Sequence, residues 1–299
     1  MQENKTEIIN NQIEEGIKNA ISESLEKSTL APEQIKAVST FLLELEQSLE
    51  KHKCYVKTIV FFGSTIQKER DSYSDIDIMV IYNGDLPKKQ ERKEQYSSED
   101  KIKKSIDGVS NLAPETEFSE DVIFTSGNYL HIDFRQIKEI EKIFKDLENG
   151  DHGSFYFLHC LQNGIITENK PMAEYKELID TIPEKAKNSF LGSRKEKITQ
   201  VIQSMVKSVI RGDNVRYLEL LLQNIYNVID FYYVSNNKYP GKKKGLKEKL
   251  ENFKGGNELY NRFSEALNNA MLNPEDSYNI FRKITSEITG VDFNYENND

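Results

Sequence analysis

The chain has 299 residues, 37% of them hydrophobic and 30% charged, with a formal net charge of −9. That is length enough for two domains and apolar content enough for a core wrapped in charged helices. The acidic balance disfavours bulk capture of nucleic acid, which rests on many Lys and Arg contacts to phosphate, although it leaves room for a local basic patch. The two cysteines, Cys54 and Cys160, form no Cys-x-x-Cys, and the four histidines show no metal-ligand spacing, so neither a disulfide framework nor a zinc site is expected. No apolar run approaches the ~18 residues of a membrane span, and the N-terminal stretch lacks the basic-then-apolar order of a signal peptide. The cytoplasm is the expected compartment, without a membrane partner.

In chain order, Ile8, Ile9, Ile13, Ile17, Ile21 and Leu25 recur at helical spacing and predict a helix over 4–28. Pro32 stands at a helix start, and Ile35, Val38, Phe41, Leu42, Leu45 and Leu49 give that helix one apolar face up to about Lys51. Strands are expected at Val56–Phe62 and Asp75–Tyr82. Residues 83–117 are polar, with a solvated helix expected at Gln90–Ile106 and a loop at Pro114 and Glu115–Glu117. Two short apolar runs, Asp121–Thr125 and Tyr129–Phe134, flank Ser126-Gly127-Asn128 and read as a hairpin. From Gln136 the pattern turns helical, starting with Ile137, Ile140, Ile143, Phe144 and Leu147. Asn149-Gly150-Asp151-His152-Gly153 is the expected boundary, dividing 1–150 from a helical 151–299 with segments near 154–163, 171–180, 183–209, 213–235, 244–252, 256–271 and 274–288. The fold class is α+β: an N-terminal domain with a mixed sheet, then an all-helical bundle.

The chemistry concentrates at residues 59–80. An apolar run ends in Gly63-Ser64, and a second opens with Asp75-Ile76-Asp77. Side chains alternate across a strand, so Asp75 and Asp77 share a face. Two carboxylates on one side of an otherwise apolar strand suit Mg2+, which takes one or two carboxylates together with substrate phosphates. Gly63 lets backbone approach a phosphate without a Cβ, and Ser64 adds a hydroxyl; as a plain alternative, Ser64 caps a helix. On Tyr129–Phe134, His131 and Asp133 share one face while Ile132 and Phe134 share the other, as a strand bordering a site would. His131 is as consistent with a packed histidine as with a functional one, and Arg135 reads as a surface cation. There is no tryptophan, so a base would stack on Phe61, Phe62 or a tyrosine.

Gly63-Ser64, a ten-residue gap, Asp75-Ile76-Asp77 and the later Asp133 together resemble the signature of the polymerase-β-like nucleotidyltransferase superfamily. Ser72-Tyr73-Ser74-Asp75-Ile76-Asp77 is closest in character to bacterial antibiotic nucleotidyltransferases of the kanamycin and lincosamide type. The resemblance covers roughly residues 40–140, with the helical half sharing only general character. It implies transfer of a nucleoside monophosphate from an NTP, ATP first, to a hydroxyl, with pyrophosphate released. Asp75, Asp77 and Asp133 would hold two Mg2+ ions, with Asp133 acting as ligand or as general base, and Gly63 and Ser64 would hold phosphates. After Tyr239-Pro240-Gly241, the basic run at Lys242 and Lys243 would reach the triphosphate in the same way; its plain reading is a solvated loop. The resemblance implies a small hydroxylated acceptor such as an aminoglycoside or lincosamide, hence antibiotic resistance, and a homodimer is compatible with it. A toxin-type enzyme acting on a protein or tRNA is one alternative. A non-catalytic nucleotide-binding regulator is another, which the intact acidic residues disfavour.

Overall fold

The computed structural model describes residues 21–66, 74–88, 91–92, 101–109, 117–125, 128–167, 175–241, 246–251 and 253–293, with the backbone alone at 101–109, 117, 118, 125, 246, 248 and 249. The predicted N-terminal helix is described at 21–25. The readings at Ser126-Gly127, Lys242, Lys243 and the tail past Phe293 lie outside the described residues. The chain groups into two compact units, Met1–Asp146 with Phe157–Ile179, and Leu147–Tyr156 with Asp180–Asp299. The Gly150 boundary expected from the sequence falls inside the short Leu147–Tyr156 segment.

The first unit is built on a six-stranded sheet of β1 (Tyr55–Phe62), β2 (Ile76–Asn83), β3 (Lys101–Val109), β4 (Glu117–Thr125), β5 (Asn128–Gln136) and β6 (Ile165–Ile166), in the order β3-β4-β5-β2-β1-β6. The β2–β5 pair is parallel and the other pairs antiparallel, so the sheet is mixed. Helix α1 (Pro32–Lys51) starts with proline at its first position, and Gln34 accepts a hydrogen bond from the Ala31 N–H at 3.1 Å, satisfying a donor at the helix entry. Its buried stripe of Val38, Phe41, Leu42, Leu45 and Leu49 joins Ile59, Phe61, Ile78, Val80, Ile132 and Phe134 in one core. These strand residues sit at alternate positions, which leaves Asp77, Met79 and Ile81, and His131, Asp133 and Arg135, on the other face. Helix α2 (Ile137–Glu148) follows β5 directly, and α3 (Phe155–Asn163) leads into β6. The Arg135 guanidinium lies 5.8 Å from the Phe157 ring centroid, and Gly164 packs so closely on Val60 that a Cβ there would lie 2.6 Å from Val60 Cγ1.

Of the helix expected at Gln90–Ile106, Glu91 and Arg92 are helical, Gln90 and residues 93–100 lie outside the described residues, and Lys101–Ile106 is strand instead. Residues 101–109 form the outer strand, paired antiparallel with β4. A strand at a sheet edge has one ladder partner and tolerates charge, lysine above all, so its sequence carries little apolar alternation. Arg92 is buried rather than solvated, at 1% exposure. It donates from Nε to Asp121 Oδ2 at 2.9 Å, from Nη2 to Asp121 Oδ1 at 3.0 Å and to Ser119 Oγ at 2.6 Å, and from Nη1 to the Pro87 carbonyl at 2.7 Å. β4 also begins earlier than the predicted strand at Asp121, and so takes in Glu120.

The second unit is helical: α5 (Glu184–Ile210), α6 (Asn214–Ser235), α7 (Leu246–Glu251), α8 (Gly256–Asn269) and α9 (Pro274–Thr289), with the short α4 (Lys176–Asp180) preceding them in the first unit. Asp213 accepts from the Arg216 N–H at 3.0 Å and caps α6. Ile198, Ile202, Leu221, Ile225, Phe263, Phe281 and Ile284 form the core. Tyr217 Oη lies 2.8 Å from Ser277 Oγ, which donates to the Ala266 carbonyl at 2.6 Å, so three helices share one buried hydrogen-bonded chain. Tyr233 packs on Phe253, and Tyr239 is buried beside Phe155. Both are core residues of this unit.

Candidate active site

The two halves of the motif meet at one end of β1 and β2. After β1, residues Gly63–Ile66 form a single 3-10 turn. Ser64 donates its backbone N–H to Asp77 Oδ2 at 3.2 Å and its hydroxyl to the Asp75 carbonyl at 2.7 Å, with Asp77 Oδ2 a further 3.4 Å contact. Thr65 Oγ1 accepts from the Asp77 N–H at 2.8 Å. The turn is therefore laced to the start of β2. Gly63 holds φ at +61°, and a Cβ on it would lie 2.2 Å from Asp77 Oδ2. Both the backbone conformation and the space require glycine here. Asp75, just before the strand, is exposed, and Asp77 is half-buried.

β5 adds three polar side chains to the same face. Its parallel register sets His131 opposite Asp77 and Asp133 opposite Met79. The antiparallel register with β4 sets Glu120 opposite Asp133. His131 Nδ1 is 3.3 Å from Asp77 Oδ1, and its Nε2 contacts Glu120 Oε1. Hydrogen bonding to Asp77 is the main influence that holds the imidazole pKa above its ordinary value, against the opposing effect of burial. Asp133 takes a bidentate pair from Arg135, at 2.9 Å from Nε and 3.2 Å from Nη2, and Arg135 Nη1 reaches Glu139 Oε1 at 2.8 Å. Burial pushes the Asp133 carboxyl above the usual aspartate range even with Arg135 beside it. Burial works against the Arg135 charge, but Asp133 and Glu139 outweigh it and raise its pKa.

Four of the expected site residues, Gly63, Ser64, Asp75 and Asp77, thus come together. Asp133 lies one register step along the same face, engaged by Arg135, which is an ion-pair partner rather than a free surface cation. Lys242 and Lys243 fall outside the described residues. Sequence reading missed Glu120, which lies between the expected loop at Glu115–Glu117 and the strand expected from Asp121; the strand register is what brings it to the site. As a donor set, Asp75 and Asp77 offer hard carboxylate oxygens beside the Gly63–Ile66 turn, which fits Mg2+ completed by phosphate oxygens and water. Among the described residues, no three His, Cys, Asp or Glu side chains converge as ligands of one ion.

The family described as nucleotidyltransferase domain matches residues 42–148, the segment that holds the second half of α1, strands β1 to β5, α2 and the motif. The match supports placing this segment in the polymerase-β-like nucleotidyltransferase superfamily. Among solved structures, the chain is similar to a nucleotidyltransferase-like protein from Exiguobacterium sibiricum 255-15, at 10% identity and a TM-score of 0.41, over 82% of this chain and 74% of that one. No curated protein matches the chain. No helix among the described residues is long and apolar enough to cross a membrane.

Proposed function

We propose that the protein transfers a nucleoside monophosphate from an NTP, ATP first, to a hydroxyl of a small acceptor such as an aminoglycoside or lincosamide, with release of pyrophosphate. The observation that supports this reading is the lacing of the Gly63–Ser64 turn to Asp75 and Asp77, which sets a glycine turn and a hydroxyl beside the two carboxylates proposed to hold the metal. Asp75 and Asp77 would hold Mg2+, and the bound ions would neutralise charge on the triphosphate and orient its α-phosphate. Gly63 keeps the turn free of a side chain, so backbone can close on phosphate oxygens. The Ser64 hydroxyl, now given to the Asp75 carbonyl, turns to a phosphate oxygen when the nucleotide binds. Asp133 accepts the proton of the attacking hydroxyl. Its raised carboxyl brings its affinity for a proton closer to neutral pH, as a general base requires, and Arg135 holds it in one orientation.

The test is incubation with each labelled NTP and Mg2+, alone and with candidate acceptors, read by mass spectrometry. A mass gain of one nucleoside monophosphate on a small hydroxylated acceptor is the expected result. A gain on protein or tRNA would move the acceptor to the macromolecular class. Asp77→Asn should abolish transfer while leaving thermal unfolding near that of the parent, and full activity in that variant would overturn the proposal.

A further inference from the structure

We infer that His131 is a positioning residue for the Asp77 carboxylate, with Glu120 as the group that anchors it. The inference rests on the reading of Asp77 as a metal-holding residue and goes beyond it by assigning two residues the sequence motif does not contain.

The argument begins with how Asp77 is held. Its two oxygens are divided between two strands' worth of structure: Oδ2 receives the Ser64 N–H at 3.2 Å, and Oδ1 faces His131 Nδ1 at 3.3 Å. A carboxylate gripped at both oxygens cannot swing about its own bond. The grip from His131 is firm because the ring is itself tied at its far nitrogen to Glu120 on β4. Both ring nitrogens face carboxylate oxygens, so the ring is held between Asp77 and Glu120. Register fixes the whole row, since Asp77 on β2 and Val122 on β4 are opposite His131 on β5, and Glu120, opposite Asp133, is two residues from Val122 on the same face of β4.

A like arrangement is centred four residues further along β5, at Arg135. There Arg135 lies between Asp133 and the largely buried Glu139, contacting Asp133 through two nitrogens and Glu139 through a third. On one strand face, then, two nitrogen-bearing side chains each join one site aspartate to one supporting glutamate. Glu120–His131–Asp77 and Glu139–Arg135–Asp133 are parallel devices, and the glutamates need no contact with substrate. Groups behind a metal ligand of this kind are typically worth ~10–100-fold in metal affinity or activity, and a ligand displaced by about 1 Å can lose on the order of 100-fold in rate.

A histidine that merely neutralises neighbouring acids makes the opposite forecast. Removing a cation beside a metal site relieves repulsion of Mg2+, so charge alone predicts unchanged or tighter metal binding in His131→Ala, whereas positioning predicts weaker binding.

The experiment uses the full chain, Mn2+ as the probe and a non-hydrolysable ATP analogue, with bound Mn2+ read by electron paramagnetic resonance and kcat and KM measured in parallel with Mg2+. Positioning predicts that His131→Ala loses ~10–100-fold in Mn2+ affinity and a like factor in kcat, with little change in the KM for acceptor. His131→Asn, which keeps an N–H near the place of Nδ1, should recover most of the loss, and Glu120→Gln should fall between. His131→Ala binding Mn2+ as tightly as the parent or tighter, while Asp77→Asn loses it, would overturn the inference and leave the metal role of Asp77 standing. Asp77→Asn binding Mn2+ like the parent would overturn both. If His131→Ala does not fold, Glu120→Gln with undiminished Mn2+ affinity overturns the inference by itself.

Discussion

Gly63 and Ser64 are adjacent, yet replacing them should have unequal effects. In Gly63→Ala, a backbone at φ +61° carries a side chain at a cost of ~1–2 kcal/mol, and the new methyl collides with Asp77 Oδ2. The carboxylate must move, so kcat should fall by about 100-fold, with a small drop in melting temperature. Ser64→Ala keeps the backbone N–H on Asp77 and loses the hydroxyl contacts, so about a tenfold loss is expected. Steady-state kinetics on the two variants checks the order; equal losses would contradict it. Cys54 offers a separate test. It is buried, and burial, with Asp85 nearby, pushes its thiol up to about 12. The native protein at pH 8 should therefore leave Cys54 unmodified by iodoacetamide, while the unfolded chain alkylates fully, as peptide mass mapping would show. At this scale the acidic pair was visible in the sequence because two carboxylates open an otherwise apolar run, although the strand itself starts at Ile76, one residue after Asp75. The partners of Asp77 and Asp133 were not, since pairing register is set by long-range packing rather than by neighbours in sequence.

Among the elements, the strongest long-range tie across the charged stretch is the Arg92–Asp121 pair, buried on both sides. Removing one partner leaves a buried charge uncompensated, so Arg92→Met and Asp121→Ala should each cost about 3–5 kcal/mol. The double variant should cost less than their sum, measured by urea unfolding at neutral pH. In α1, burial raises the Glu46 carboxyl above the glutamate range, with Glu50 adding to the shift. A carboxyl whose folded pKa is raised favours folding least when ionised, so its cost to stability grows as pH rises from its unfolded toward its folded pKa. Glu46→Gln should therefore be more stable than the parent at pH 7, with the gain fading below about pH 4; thermal melts across pH read the sign. Helices and buried strands were legible in the sequence because each carries a periodic apolar face. β3 was not, since an outer strand rich in lysine has no such face, and the two-residue β6 is too short to carry a pattern.

For the whole molecule, the division of the chain has consequences that a boundary at Gly150 does not capture. Residues 157–179 belong with the first unit, where β6 pairs with β1 and Thr167 is tied to Thr58 and Ile59 by hydrogen bonds at 3.0–3.2 Å. A fragment ending at residue 150 should expose the outer edge of β1, and so melt lower and aggregate more readily than a fragment ending at residue 182. Light scattering and thermal melts of the two would decide it. The helical half was legible as helices from its spacing, while the return of 157–179 to the sheet was not, because nothing local in Ile165-Ile166-Thr167 announces which strand they will join.

That late return also sets an order of events during synthesis. The ribosome makes the chain from its N-terminus, and domains tend to fold as they emerge. Here five strands of the sheet are made before residue 137, but the strand that closes the β1 edge is made last, after the polypeptide has already supplied Leu147–Tyr156 to the other unit. The nascent first unit therefore waits with one open edge. A circular permutant that begins at β6 and joins the old termini would make that closing strand first, and would be expected to depend less on chaperones for soluble yield.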